Sequence, residues 1–217
     1  MSLKSIGLSD ELHAYLVAHN PPLDAIVTDL LAETQAAFPE YATLSIAPEQ
    51  ASFLTFLARL TGAHRAVEIG TFTGLSSLSL VRGLAADGRL TCFDISKEFT
   101  DVARRYWERA GVADRIELQL GPAVQNLSAL PEEPHLDLAF IDADKVNNRT
   151  YWDLLVPRMR PGGVIVVDNV LYYGSVLAPA NPDQTAVVEF NDYVKNDARV
   201  EAVMIPLSDG LTLARRL

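Results

Sequence analysis

LDLAFIDADK, Leu136 to Lys145, places two aspartates and a lysine directly after an apolar run. A run of this length bounded by polar residues predicts a strand buried on both faces, the kind found in parallel sheets covered by helices. In open sheets of that kind, ligands bind beyond the carboxyl ends of the strands. Asp142, Asp144 and Lys145 therefore become candidate site residues, and the rest of the chain has to say for what.

Working outward, further strands are expected at 66–69, 89–95, 115–120, 136–142 and 162–168, separated by helical segments such as 75–86 and 97–110. Strands that alternate with helices predict βαβ units and a mostly parallel, Rossmann-like α/β sheet with helices on both faces. The end differs, because RVEAVMIPL and LTLARRL are joined only by Ser208-Asp209-Gly210, a turn signal that predicts an antiparallel hairpin. Ahead of the sheet, Ser9 can cap a helix with Leu12, Tyr15 and Leu16 on one face, Pro21-Pro22 ends it, and two more helices follow over 23–37 and from Pro48 to Gly62. The chain reads as a single domain, with residues 1–62 as a helical extension and 63–217 as the ligand-binding core.

Composition narrows the function. A formal net charge of −10 argues against a nucleic-acid surface, which needs a concentrated excess of Lys and Arg, and favours a small-molecule substrate. The single cysteine, Cys92, excludes an internal disulfide, and neither a signal segment nor a membrane-length apolar run is present. The expected compartment is the cytoplasm.

Where the first strand meets its helix the sequence reads VEIGTFTG, Val67 to Gly74. Its two glycines do not form the three-glycine loop that holds a dinucleotide pyrophosphate. Glu68, expected at the mouth of the strand, would repel phosphate and suit a ligand carrying positive charge, such as S-adenosylmethionine. Asp94 ends the second strand, where an acidic side chain can accept hydrogen bonds from both ribose hydroxyls.

The fifth strand, GGVIVVDN, ends in Asp168-Asn169. If it neighbours the fourth, Asp142, Asp168 and Asn169 meet at one edge. Two carboxylates and an amide form an all-oxygen donor set suited to a hard divalent cation, Mg²⁺, Mn²⁺ or Ca²⁺. The four histidines lie outside these strand ends.

VEIGTFTGLSSL, CFDIS, FIDADK, PGGVIVVDNVL and IPLSDGLTLAR, in this order and at these separations, resemble the cation-dependent S-adenosylmethionine O-methyltransferases of the catechol and caffeoyl-CoA O-methyltransferase type. The resemblance begins near Lys4 and continues to the C-terminus. It implies a seven-stranded sheet with the last strand antiparallel, and a homodimer. It further implies that Asp142, Asp168 and Asn169 bind the cation and that Lys145 lies by the reacting hydroxyl. By the same resemblance Glu68, Gly70, Thr71, Phe72, Ser76 and Asp94 hold the cofactor, and Ala123 lies by its adenine; Asp142 and Asp144 also border it, Asp144 orienting either Lys145 or the cofactor's amino group. The chain departs from the family pattern in VNNRTYW after FIDADK, in Tyr172-Tyr173 after DNVL, and in lacking a basic residue between Gly174 and Asp183.

The implied reaction is one in-line displacement at the sulfonium methyl. A neutral phenol, with a pKa near ~10, is a poor nucleophile, so a cation that favours its ionised form and a lysine that takes or steers the proton belong together. An aromatic vicinal diol is the expected acceptor, and a small catechol, a flavonoid or a hydroxycinnamoyl thioester would each qualify. A nicotinamide-dependent oxidoreductase lacks its glycine loop here, and a binding module without catalysis would have little use for Asp142, Lys145, Asp168 and Asn169 together.

Overall fold

The computed structural model of the chain describes residues 6–217, so Lys4, where the family resemblance begins, lies outside the described residues. Helices α1 (Asp10–Ala18), α2 (Ala25–Ala37) and α3 (Pro48–Thr61) precede the sheet. It is built from β1 (Arg65–Ile69), β2 (Arg89–Asp94), β3 (Ile116–Leu120), β4 (Leu136–Ile141), β5 (Met159–Asp168), β6 (Val200–Ile205) and β7 (Leu211–Arg216). Between them lie α4 (Leu75–Gly83), α5 (Lys97–Arg109), α6 (Ala123–Ser128), α7 (Asn148–Leu155) and α8 (Pro182–Lys195).

The seven strands run in the order β3-β2-β1-β4-β5-β7-β6, with β7 antiparallel to both neighbours. The expected fold class and hairpin are both present. After β1 the chain builds outward to β2 and β3, then returns to lay β4 on the opposite side of β1. That reversal opens a crevice at the carboxyl ends of β1 and β4, where side chains can meet a ligand.

Alternation along the strands sorts the core into two layers. Ala66, Leu90 and Leu138 pack with Leu54, Ala58, Leu78 and Trp107 from α3, α4 and α5; Val67, Ile69 and Ile141 pack with Leu127, Trp152, Leu155 and Phe190 from α6, α7 and α8. All six residues of β4 are buried, as its apolar run requires. The exception in composition, Asp137, is satisfied locally: its Oδ2 accepts the His64 and Arg65 N–H groups, each at 2.8 Å, and its other oxygen pairs with Arg160. A buried carboxylate thus ties the start of β4 to the start of β1.

Two element boundaries differ from expectation. The helix expected over 75–86 ends at Gly83, because the chain there turns to bond Ala85 N–H to the Ala63 carbonyl and Gly83 sits against the α3 backbone at Thr55. β5 begins at Met159 instead of 162; the residues around Pro161-Gly162 form an irregularity in its register with β4. The helix expected after Ser9 is present as α1, and its Leu12, Tyr15 and Leu16 are exposed, since no described element of this chain covers them. Among the described residues no helix is long and apolar enough to cross a membrane.

Between β1 and β4 the loop passes so close that a Cβ on Gly70 would overlap the Asp142 carbonyl, and Gly70 also has φ +88°, in the region that favours glycine. Gly70→Ala should therefore destabilise the protein by about 2 kcal/mol or more, read as a shift in the urea unfolding midpoint. A loss within ~0.5 kcal/mol would show that this crossing can relax without cost.

Candidate active site

A cavity of about 1120 Å³ opens at the carboxyl ends of the strands. One end is bordered by the β1–α4 loop, by Asp94 and Ser96 after β2, and by Gly121 to Val124 at the start of α6. The other is bordered by Asp142, Lys145, Asp168, Asn169 and the Tyr172-Tyr173 pair. All but one of the residues expected at the site line this cavity; the exception is Glu68.

Gly70, Thr71, Phe72 and Ser76 form the floor of the first end. Their loop is held from β2: Asp94 Oδ2 accepts the N–H groups of Thr71 and Phe72, both at 2.9 Å, while Oδ1 accepts Ser96 N–H at 2.7 Å. Asp94 thus faces the cavity and shapes the loop at once. Phe72, with φ +50°, carries its ring to 4.8 Å from that of Phe99, which also meets Phe38 and Tyr41. This aromatic wall joins α5 to the segment after α2 and had no periodic signature in the sequence.

Glu68, the penultimate residue of β1, stands near the strand's carboxyl end but is fully buried, paired with Cys92 on β2 and Phe140 on β4, beneath the loop and outside the cavity lining. Ser76, Cys92 and Thr71 are its polar neighbours, yet neither carboxylate oxygen receives a well-formed hydrogen bond. Burial pushes its pKa up to about 8, tempered by those neighbours, and Asp142 adds to the rise. The same burial, with Glu68 beside it, pushes the Cys92 thiol up.

At the other end, β4 and β5 are neighbours and bring Asp142, Asp168 and Asn169 together as expected. Asp168 is buried; burial first, and the charge of Asp142 second, push its pKa up to about 7. Its Oδ1 accepts its neighbour Asn169 N–H at 2.6 Å, and its Oδ2 accepts Gln50 Nε2 at 2.9 Å. Gln50 in turn accepts Ala47 N–H through Oε1, at 2.9 Å, closing the first turn of α3. Asn169 has φ +57°, a conformation asparagine tolerates better than most residues. Lys145 is largely buried, with Nζ 3.1 Å from Asp142 Oδ1.

The hydrogen bonds of Asp144 run to its own turn and to α7, not to Lys145. It accepts Tyr151 Oη–H and Asn147 Nδ2–H, each at 2.5 Å. Burial raises the Tyr151 phenol, and Asp144 raises it further, so Tyr151 is kept as a donor. Gln50, Asn147 and Tyr151 are the site residues that sequence reasoning missed. Gln50 and Asp168 lie 118 positions apart, and no spacing within one element could have paired them.

Two carboxylates, of which Asp168 is pushed toward its neutral form first by burial and then by Asp142, together with the Asn169 amide oxygen offer the oxygen donors a hard cation takes, and the Lys145 ammonium stands beside them. Among the described residues no cluster of three or more His, Cys, Asp or Glu side chains is placed to hold a metal, so a cation here would use the two carboxylates and Asn169 with its other positions open.

A Rossmann-like sheet whose last strand is antiparallel, with an acidic second-strand end and a glycine loop lacking the dinucleotide pattern, defines the architecture of a methyltransferase. The comparisons agree: residues 18–217 match the family model described as O-methyltransferase. A probable caffeoyl-CoA O-methyltransferase 1 from Dictyostelium discoideum is 36% identical, over 94% of this chain and 90% of its own. An O-methyltransferase from Bacillus cereus, solved in complex with SAH, is 31% identical with a TM-score of 0.86, over 95% of this chain and 97% of its own. TomG from Streptomyces achromogenes, an O-methyltransferase involved in tomaymycin synthesis and solved with SAM, is also 31% identical, with a TM-score of 0.86 over 95% and 96% of the two chains. This chain belongs to the O-methyltransferase family and is an S-adenosylmethionine-dependent enzyme, which sets aside the oxidoreductase and the non-catalytic module.

The burial of Glu68 has a measurable consequence. An acid whose folded pKa lies at about 8, above its unfolded value of 4.5, contributes stability that is fully present below 4.5 and lost as pH rises through 8. In cation-free protein, Glu68→Gln removes that loss, so the variant should gain more than about 2 kcal/mol relative to wild type between pH 5 and pH 9. Urea midpoints at the two pH values measure it; an equal difference at both would mean that Glu68 titrates normally.

Proposed function

We propose that this enzyme transfers the methyl group of S-adenosylmethionine to one hydroxyl of an aromatic vicinal diol, with a divalent cation, Mg²⁺ or alternatively Mn²⁺ or Ca²⁺, held by Asp142, Asp168 and Asn169. The observation that carries the reading is the convergence of Asp142, Asp168 and the Asn169 amide at the ends of the neighbouring strands β4 and β5, where Asp168, its pKa pushed up first by burial and then by the charge of Asp142, would be relieved by a cation. The donor is supported by relatives solved with SAH and SAM, and a phenolic small molecule by relatives named for caffeoyl-CoA.

In this reading the loop from Gly70 to Ser76 receives the donor, Asp94 accepts the ribose hydroxyls through lone pairs not taken by Thr71 and Phe72, and Ala123 borders the adenine. Glu68 acts from beneath the loop, and Asp142 and Asp144 border the donor's amino-acid end. When bound, the cation supplies positive charge that favours ionisation of an adjacent hydroxyl. Asp142 holds Lys145 at 3.1 Å, and Lys145 takes or steers the proton that leaves the reacting hydroxyl. Asp144 and Tyr151 brace the 142–145 turn, and the wall formed by Phe72 and Phe99 keeps water from the donor. Fixing donor and acceptor in line supplies the orientation term of the rate.

The chain is proposed to act as one methyltransferase domain, 1–62 forming the helical extension and 63–217 the core, in a cytoplasmic homodimer. Exposed Leu12, Tyr15 and Leu16 on α1 support a partner for that helix. The charge of −10 supports independence from nucleic acid.

Stripping divalent cations should abolish turnover, and Mg²⁺ or Mn²⁺ should restore it. A matched monophenol, which offers one oxygen where a catechol offers two, should be methylated with kcat/KM lower by roughly a hundredfold. Lys145→Ala should lower kcat for the diol and leave donor affinity near wild type. Full activity in metal-stripped enzyme, or equal efficiency on the two acceptors, would remove the cation from the reaction.

A further inference from the structure

Gln50 brings the helical extension into contact with the cation group. It is the third residue of α3, only 2% exposed, and its side-chain amide is used at both ends. Oε1 accepts Ala47 N–H and Nε2 donates to Asp168 Oδ2, each at 2.9 Å. Ala47, at the N-cap, has no side-chain acceptor to offer the helix, so the reach-back from Gln50 supplies the cap bond of this turn. The first of the two bonds decides the second. A backbone N–H can only donate, so it holds the carbonyl end of the amide at Ala47 and turns the other end, which also can only donate, toward Asp168. The helix cap thus sets the direction of the amide independently of the carboxylate it meets.

Asp168 is held from two directions. Asn169 N–H, on Oδ1, belongs to the next residue and travels with the end of β5. Gln50 comes from a separate element 118 positions earlier and gives the carboxylate a reference outside its own strand. Each oxygen then carries one hydrogen bond and keeps lone-pair capacity for a ligand. The donor is also neutral, unlike Arg160, which takes up the charge of buried Asp137 at the other end of β4. An amide orients a carboxylate and leaves its negative charge in place for a cation. A carboxylate whose plane is set in advance loses less freedom when it binds an ion.

Resting on the cation reading above, we propose that Gln50 is a positioning residue for the cation site: its amide fixes Asp168 in the orientation that receives the ion and couples the ion to the start of α3. Such coupling is reciprocal, so whatever factor Gln50 adds to cation affinity, the cation adds to the docking of Gln50. Thr43 to Ile46, just ahead of the cap, line the same cavity, and this wall is steadied with it.

Gln50→Met keeps about the same side-chain length and removes both hydrogen bonds. Mg²⁺ titrated calorimetrically into cation-free protein should bind the variant about tenfold or more weakly than wild type, the scale of a lost hydrogen bond to a metal ligand. S-adenosylhomocysteine should bind both proteins equally. Turnover at limiting Mg²⁺ should fall and return close to the wild-type kcat when Mg²⁺ is saturating. A role confined to capping α3 would lower the urea midpoint and leave Mg²⁺ affinity alone. Should the variant not fold, the wild-type protein carries the test: saturating Mg²⁺ should slow hydrogen exchange at Ala47 N–H by about tenfold. Where wild type binds Mg²⁺, equal affinity in folded Gln50→Met, an equal loss of S-adenosylhomocysteine affinity, or Ala47 exchange indifferent to Mg²⁺ overturns the inference while the cation reading stands. Absence of Mg²⁺ binding to wild type overturns the cation reading and the inference with it.

Discussion

The close crossing of Gly70 and the Asp142 backbone is the constraint on which the site depends. Asp142 N–H bonds to the Ile69 carbonyl at 2.8 Å, and Gly70 N–H bonds to that of Phe93 at 2.9 Å, so three strand ends are fastened within a few residues. Only a residue without a side chain allows the loop that receives the donor to lie against the residue that begins the acceptor end. In the proposed reaction the methyl donor and the diol would thereby be held by elements fastened to one another. A transfer that needs reacting atoms aligned in advance benefits from such rigidity.

Around that crossing the protein keeps several carboxylates in places where water does not compensate them. Glu68 under the loop and Asp168 at the end of β5 are both pushed toward their neutral forms by burial. Asp137, equally buried at the opposite end of β4, differs because backbone amides and Arg160 satisfy it. Glu68 receives no well-formed hydrogen bond, whereas Asp168 accepts Asn169 N–H and Gln50 Nε2–H and lacks the ion pair that Arg160 gives Asp137. Buried groups kept in an unfavourable ionisation state reduce stability, and such losses concentrate at functional sites.

Sequence revealed the elements whose signals are local. The unbroken burial of Leu136 to Ile141, the helix and strand alternation and the Ser208-Asp209-Gly210 turn each follow from a short stretch of side chains, and the structure has all three. The gathering of Asp142, Asp168 and Asn169 was legible too, because it needed only two strand ends and their adjacency. What stayed hidden depends on distant packing. Glu68 lies one residue from the end of β1, but its full burial comes from β2 and β4 enclosing it on both sides. Gln50 reads as an ordinary first-turn residue until α3 docks it on Asp168, and the exposed apolar face of α1 obeys helical periodicity although no described part of this chain covers it.

The central claim is that cation and diol share one site and bind as a unit. Calorimetry on protein saturated with S-adenosylhomocysteine tests it, by titrating Mg²⁺ with and without a catechol and then the catechol with and without Mg²⁺. Linkage requires each to tighten the other by the same factor, expected here to be about tenfold or more, with a monophenol giving a much smaller factor. Mg²⁺ and catechol affinities that are indifferent to one another would contradict the account.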